Sequence, residues 1–230
     1  MVRATNCDPG CVPCLMARLS RSPGGKLELV DREVAAGQWL FREGEPLHFL
    51  YAVRQGAFRV SASAREEVEQ VTAFRRSGEL LGLDALAEDR HATSAMALEP
   101  SSVVSVPYAG LREVFETQPG VAEALWKLLS RELVRDKKRL LLLGSLNAEE
   151  RVAAFLLNLA AQVAPGDDGA ELPLPMTRAD IGSYLGLTLE SVSRILHRFQ
   201  DRGLLELKHR RLRIAAPEGL KAFFAVKNGN

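Results

Sequence analysis

The stretch from Met176 to Arg213 reads MTRADIGSYLGLTLESVSRILHRFQDRGLLELKHRRLR, and its pattern predicts the fold of the C-terminal part of the chain. Apolar residues recur at helical spacing on both sides of Gly186, a residue that can take the left-handed conformation in which a helix ends. Thr177 and Thr188 stand where the N-caps of two helices are expected. The stretch therefore predicts two short helices joined by a tight turn and followed by a small basic hairpin.

The second helix, from about Leu189 to Arg202, is predicted to bury one face and expose the other. The residues expected to point inward are apolar: Val192, Ile195, Leu196 and Phe199. The residues expected to point outward are polar: Glu190, Ser193, Arg194, His197 and Arg198. A helix with such a face, ahead of a basic hairpin, suits the major groove of DNA. A solvated amphipathic helix pair is the alternative interpretation.

The net charge of +1 conceals a local excess of positive charge. Between Met176 and Ile214, eight Arg and Lys residues stand against four Asp and Glu residues, a net +4, so the remainder of the chain is slightly acidic. Such a local basic patch is typical of a nucleic-acid-binding protein. No apolar run approaches the ~20 residues needed to span a bilayer, and the N-terminus lacks a signal-peptide core. The sequence thus predicts a cytoplasmic protein with no membrane partner.

The region between Leu27 and Tyr108 consists of short alternating runs separated by glycines at turn-like intervals. This pattern predicts an antiparallel domain of roughly eight strands, built as a sandwich or rolled barrel. Beyond it the period becomes helical, with a short helix over residues 109–117 and a long helix from about Val121 to Gly144. The predicted fold class is α+β.

The long helix carries a stripe whose spacing alternates between four and three residues, as in a coiled coil. Its members are Leu129, Leu133, Asp136, Leu140 and Leu143. The regular spacing favours a dimer seam over packing on the chain's own β domain. Asp136 is the exception, because a carboxylate at a seam brings desolvation and like-charge repulsion when two copies meet. Either Asp136 points away from the helix–helix seam into solvent, or the dimer is only marginally stable and another event determines whether it forms.

The order of these parts resembles the CRP/FNR family of bacterial transcription regulators over nearly the whole chain. The segments LLLLGSLNAEERVAAFLLNL, from Leu140, and MTRADIGSYLGLTLESVSRILHRFQDRGLLEL, from Met176, are similar to the hinge and DNA-reading segments of the FNR branch. The E-x-x-S-R signature of that branch's recognition helix is present as Glu190, Ser193 and Arg194. The resemblance implies an N-terminal β-roll (a double-stranded β-helix of the cyclic-nucleotide-binding type), a long dimerisation helix and a C-terminal winged helix-turn-helix.

The resemblance also implies a division of the chain and a set of partners. The expected segments are a cysteine-containing arm (1–26), a β-roll sensor domain (27–118), a dimerisation helix with its hinge (119–146) and a DNA-binding domain (147–230). The expected partners are double-stranded DNA, a second copy of the chain and RNA polymerase.

The DNA site that the resemblance implies is a palindrome of the TTGAT-N4-ATCAA kind. The side chains fit such a site, since Arg194 can make a bidentate contact with guanine, Glu190 can accept from a cytosine amino group, and Ser193 can contact thymine or a backbone oxygen. Phosphate contacts position a protein without specifying sequence. They are expected from Thr177, Arg178, Arg198, Lys208, His209, Arg210 and Arg211.

Cyclic-nucleotide-binding members of the family hold ribose and phosphate with a Glu and an Arg-Ser pair in the β-roll. By this resemblance Leu83 stands in the place of the Glu, and Thr93 in the place of the Arg. A buried cyclic phosphate would then lack a counter-charge, so we do not expect cyclic AMP to bind.

The three cysteines, Cys7, Cys11 and Cys14, all lie at the N-terminus, and their odd number does not suit a disulfide framework. Oxygen-sensing members of the family hold a [4Fe-4S] cluster on four cysteines. Cys11 and Cys14 match two of these ligands, but the other two positions fall on Ser20 and Val104. Three hypotheses stay open: an iron-sulfur cluster with a noncysteine fourth ligand, a thiol redox sensor or other metal site, and a vestigial arm in a regulator that is constitutive or tuned by another ligand or haem.

Functions from two other classes compete with a dimeric, oxygen- or redox-responsive regulator. A cupin-like metal enzyme needs clustered ligands on its strands, and the β region has only two scattered histidines, His48 and His91. No nucleophile elbow or phosphate loop is present, so we predict that the protein is not an enzyme. A signalling adaptor that does not bind DNA fits the same architecture, and a DNA-binding experiment separates it from a regulator.

Overall fold

The computed structural model describes residues 27–65, 68–163 and 171–225. The chain divides into two compact units, the first ending at Asp136 and the second beginning at Lys137. Among the described residues, no helix is long and apolar enough to cross a membrane.

The first unit contains the predicted β-roll. Its strands are β1 (Val30–Val34), β2 (Trp39–Phe41), β3 (Phe49–Gln55), β4 (Ala57–Arg65), β5 (Val68–Arg76), β6 (Leu80–Leu81), β7 (Ser94–Ala97) and β8 (Ser101–Pro107). They form two antiparallel sheets of four strands, with the orders β1-β8-β3-β6 and β2-β7-β4-β5. A 3₁₀ helix, Leu83–Leu86, lies between β6 and β7. The α+β fold class predicted from the sequence is confirmed.

Two apolar clusters hold the β-roll together, because successive side chains of a strand point to opposite faces of its sheet. On β8, Val103 packs in a cluster shared by both sheets, which includes Phe41 and Phe58. Its neighbours Val104 and Val106 belong to a second cluster, which the helices after β8 cover. These helices are α1 (Tyr108–Thr117) and α2 (Pro119–Ser145). Strand β8 of the first sheet is therefore packed on both faces.

In its described residues, the second unit consists of the last part of α2, four further helices and a three-stranded sheet. Its elements are α3 (Ala148–Val163), β9 (Glu171–Pro173), α4 (Arg178–Leu185), α5 (Leu189–Asp201), β10 (Leu205–Lys208), β11 (Arg211–Ile214) and α6 (Pro217–Ala225). The sheet order is β10-β11-β9. Strands β10 and β11 are the predicted basic hairpin, and residues 209–210 form its turn. Strand β9 and helix α6 were not predicted from the sequence.

The turn between α4 and α5 has the caps that the sequence predicted. Thr188 accepts a hydrogen bond from the backbone N–H of Ser191 at the start of α5. Gly186 ends α4 with φ +65°, a left-handed conformation that favours glycine. Gly182 is required for a different reason, since a Cβ atom there would lie 2.7 Å from the backbone oxygen of Leu187. Helix α4 and the turn before α5 thus meet at a distance that only a residue without a side chain allows.

Candidate nucleic-acid interface

Helix α5 presents the predicted reading residues on one exposed face. Its buried face is formed, as predicted, by Val192, Ile195, Leu196 and Phe199. Glu190, Ser193 and Arg194 lie at positions i, i+3 and i+4, which are neighbours on a helix surface. Glu190 and Arg194 are exposed, and Ser193 is half-buried. A carboxylate, a hydroxyl and a guanidinium are thus available together on a helix anchored by its apolar side.

The two residues at the start of α4 have different surroundings. Arg178 donates a hydrogen bond from Nη1 to Ser193 Oγ at 3.4 Å, which ties it to the reading face of α5. The Thr177 hydroxyl donates to Asp180 Oδ2 at 2.6 Å and accepts from the Asp180 N–H at 3.1 Å. This capping box occupies the hydroxyl, so a phosphate contact by Thr177 remains a prediction that requires the oxygen to be shared.

Leu189 is a candidate reading residue that the sequence interpretation missed. It is the first residue of α5, one turn before Ser193 on the same face, and 47% of it is exposed. An apolar side chain at this place can contact the methyl group of thymine. A large apolar residue on the outer side of a helical wheel was the signal that could have identified it.

Arg198 is already paired in the structure. Its Nη1 contacts Glu149 Oε1, a carboxylate in the first turn of α3. A DNA phosphate that binds Arg198 therefore has to compete with an internal carboxylate.

The wing formed by β10 and β11 carries charge mainly at its tip. Arg211 pairs with Glu171 at 3.2 Å. Arg213 bonds Glu206, and this pairing raises the pKa of Arg213 and lowers the pKa of Glu206. Lys208, His209 and Arg210 are exposed and form no ion pair with any residue that the structure describes. These three are the basic side chains of the wing most available to phosphates.

The predicted stripe on α2 is only partly exposed. Leu133 and Leu140 are 56% and 69% exposed, and Trp126, one heptad before Leu133, is 70% exposed. Leu129 and Leu143 are half-buried within the chain. The exposed apolar residues thus repeat every seven positions, and Trp126 extends the stripe beyond the residues chosen from the sequence.

Asp136 is exposed and lines a cavity of about 360 Å³ in the first unit, together with Leu129 and Leu133 of the same stripe. Helix α2 is held against the β-roll there by ion pairs: Arg75 contacts Glu132, and Arg135 binds Glu79 at 2.6 Å. Asp136 thus lies at the rim of this cavity and is also open to solvent.

The charge of this cavity disfavours an anionic ligand. Leu83, Asp84 and Thr93 are among its lining residues, and the basic lining residue, Arg75, is paired with Glu132. Burial raises the pKa of Asp84, but the nearby His91 and two hydrogen bonds from Thr93, each 2.9 Å, outweigh it and hold that pKa below its usual range. Asp84 is thus a carboxylate at neutral pH, and a cyclic phosphate would meet negative charge.

The sensor residues proposed for the arm, Cys7, Cys11, Cys14 and Ser20, lie outside the described residues. Val104, which the resemblance matches to the family's fourth ligand, is buried in β8 within an apolar cluster. No group of three or more His, Cys, Asp or Glu side chains suited to a metal occurs among the described residues. The part of the site that the structure shows therefore does not fit a four-cysteine cluster.

Comparisons with known proteins agree with this geometry. Residues 150–223 match the Crp-like helix-turn-helix domain, and residues 31–118 match the cyclic nucleotide-binding domain. The fumarate and nitrate reduction regulatory protein of Vibrio cholerae is 40% identical over 199 residues, which are 85% of this chain and 80% of that protein. Electron transport regulator A of Shewanella oneidensis is 36% identical over 211 residues, covering 90% and 84% of the two chains. The structure of FixK2 from Bradyrhizobium japonicum has a TM-score of 0.79 at 32% identity and covers 86% of this chain and 98% of its own.

The protein is therefore a DNA-binding transcription regulator with a helix-turn-helix. It belongs to the CRP/FNR family, and its relatives named above include regulators of the FNR type. The resemblance drawn from the sequence is confirmed, as is the prediction that the chain is not an enzyme, because the family consists of transcription regulators.

The pair between Arg198 and Glu149 makes a testable prediction. Replacing Glu149 by Gln releases the guanidinium and removes a negative charge near the DNA, so affinity for DNA should rise roughly two- to fivefold, the scale of an exposed ion pair. Fluorescence anisotropy with a labelled duplex measures the change. Glu218→Gln is the matched control, because it removes the same charge from a pair with Lys221 on α6. Equal affinities for E149Q and the wild type would contradict the prediction.

Proposed function

We propose that this regulator acts as a homodimer and that each copy reads one half of a TTGAT-N4-ATCAA-type palindrome. The observation that carries the proposal is the outer face of α5, where Glu190, Ser193 and Arg194 lie together above a fully buried apolar face. Two such helices, one helical turn of DNA apart, enter successive major grooves on the same side of the duplex.

The proposed contacts follow from the chemistry of each side chain. Arg194 donates two hydrogen bonds to guanine, Glu190 accepts from a cytosine amino group, and Leu189 contacts a thymine methyl group. Ser193 contacts thymine or a backbone oxygen, and its hydrogen bond with Arg178 orients it. The residues proposed to hold phosphates are Thr177, Arg178, Arg198, Lys208, His209, Arg210 and Arg211. RNA polymerase is the protein partner proposed from the family.

Base reading and phosphate binding are separable by mutation. Arg194→Ala should lower affinity for the palindrome by about tenfold to hundredfold, the value of one good base contact, with little change on a scrambled duplex. Arg210→Ala, the matched control, should lower the affinity for both duplexes alike. It should also reduce the salt dependence of binding by about the equivalent of one phosphate contact. Both are measured by anisotropy over a salt series. A wild-type protein without preference for the palindrome would favour the signalling adaptor, and equal losses on both duplexes for R194A would contradict the assigned role.

The dimer is proposed to form along α2. Trp126, Leu133 and Leu140 are large apolar side chains, exposed at heptad spacing, and Leu141 beside them is 67% exposed. Because burying apolar surface drives association, and because a second copy carries the same heptad, we assign this stripe to the partner chain. Asp136 lies beside it, where two carboxylates meet when two stripes pack together.

Asp136 is therefore expected to weaken the dimer. Replacing it with Ala should tighten dimerisation by about tenfold, equivalent to ~1.4 kcal/mol, because repulsion and desolvation of the paired carboxylates are removed. Sedimentation equilibrium of the full chain measures the change, and DNA affinity should rise with it. Glu123→Ala, on the same helix and paired with Lys127 at 2.7 Å, controls for loss of a surface carboxylate. An unchanged monomer–dimer balance in D136A would rule out this role.

The signal is proposed to be oxygen or redox state, sensed by Cys7, Cys11 and Cys14. The support for this proposal is the presence of three thiols in one short segment and the similarity to regulators named for electron transport and for fumarate and nitrate reduction. Thiolates are also the ligands that iron-sulfur clusters use. Since Val104 does not fit the family's fourth ligand, no step of the switch is assigned to a cluster.

This proposal predicts that DNA affinity changes when the anaerobically purified protein is exposed to air. A variant with all three cysteines replaced by Ser should show the same affinity before and after exposure. Iron and sulfide analysis of the anaerobic wild type then distinguishes cluster ligation from thiol chemistry. A wild type whose DNA binding is insensitive to air would contradict redox sensing and favour a constitutive regulator or one that answers another ligand.

A further inference from the structure

Arg151, in the first turn of α3, binds the carbonyl ends of two other helices at once. Its Nη2 donates to the backbone oxygen of Leu143, in the last turn of α2, at 2.6 Å, and its Nε donates to that of Leu146, the residue after α2, at 2.9 Å. Its Nη1 donates to the oxygen of Leu185, the last residue of α4, at 3.1 Å. One guanidinium therefore joins the end of the long helix to the first helix of the DNA-reading pair.

This arrangement satisfies an electrostatic requirement of both helices. The last carbonyl groups of a helix have no partner within it, and they carry its partial negative charge. A planar guanidinium presents N–H groups in several fixed directions, so it can serve carbonyls that belong to different helices. The bonds of Arg151 thus fix the orientation of α4 relative to the end of α2.

A second arginine strengthens the same junction. Arg139, on α2, donates from Nη2 to the oxygen of Tyr184 at 3.4 Å. Its guanidinium carbon also lies 4.8 Å from the centre of the Tyr184 ring, a cation–π arrangement. The last two carbonyls of α4 therefore bind arginines from two other helices. The turn at Gly186 follows immediately and leads into α5.

We propose that Arg151 is a positioning residue for DNA reading: its three carbonyl bonds set the angle at which α5 is presented. This inference rests on the proposed half-site reading by α5. Specific binding depends on the angle because base contacts require aligned donors and acceptors. Nonspecific binding does not depend on it to the same degree, because phosphate attraction is longer in range and independent of sequence. Loss of Arg151 should therefore lower the ratio of specific to nonspecific affinity.

The test compares Arg151→Gln with the wild type as full-length proteins on palindromic and scrambled duplexes. R151Q is expected to lower the ratio of specific to nonspecific affinity by about tenfold, within the usual range of coupling between sites. The salt dependence of nonspecific binding should stay unchanged, since Arg151 holds carbonyls and not phosphates. The monomer–dimer balance should also stay unchanged. Lys221→Gln, which removes a positive charge from α6, is the control and should leave the ratio as it is.

The possible outcomes separate positioning from other roles. If R151Q only reduced the fraction of folded protein, the specific and the nonspecific affinity would fall by the same factor. Their ratio would then be unchanged, and this result would overturn the inference. A reduced salt dependence would also overturn it, because Arg151 would then be a phosphate ligand. If R151Q does not fold, Arg151→Lys keeps the charge without the planar fork and should show a smaller drop in the same ratio. If the wild-type protein shows no preference for the palindrome, the proposed function itself is refuted, and not only the positioning role of Arg151.

Discussion

The close approach of α4 to the turn before α5 is the constraint on which the DNA-reading surface depends. Gly182 sits so near the backbone of Leu187 that a Cβ atom would be 2.7 Å from its oxygen, and the Leu187 N–H donates to the Gly182 oxygen at 2.9 Å. Gly186 then reverses the chain in a left-handed conformation. Because this turn buries the apolar side of α5, the polar residues of that helix are left to face outward together.

The number of basic residues in the second unit overstates the positive charge that is free to bind DNA, because several arginines are paired with glutamates. Arg198 and Arg211 are paired with glutamates, and Arg213 is paired with Glu206. Exposed pairs of this kind are weak and screened by salt, so phosphates can compete for them. Arg178, Arg194 and the tip of the wing are exposed and lie outside these glutamate pairs, so they carry positive charge that is available to DNA.

Features that depend on neighbouring residues could be predicted from the sequence, and features that depend on distant residues could not. The caps at Thr177 and Thr188 and the buried face of α5 follow from local spacing. The pair of Arg198 with Glu149 joins residues 49 positions apart, and no local pattern indicates it. Helix periodicity placed Asp136 on a stripe, but only the packing of α2 on the β-roll shows that it lines a cavity. Strand β9 is too short to show a period, and its pairing with β11 defines it.

In the function proposed above, one chain reads half a site, and two chains are needed for a whole one. The most direct measurement is the stoichiometry of the complex on a duplex carrying one TTGAT-N4-ATCAA palindrome, by sedimentation equilibrium or native mass spectrometry. A duplex with a single half-site is measured beside it. Two chains are expected on the palindrome, with much weaker binding to the half-site. One chain bound to the palindrome, with equal affinity for the half-site, would contradict this proposal.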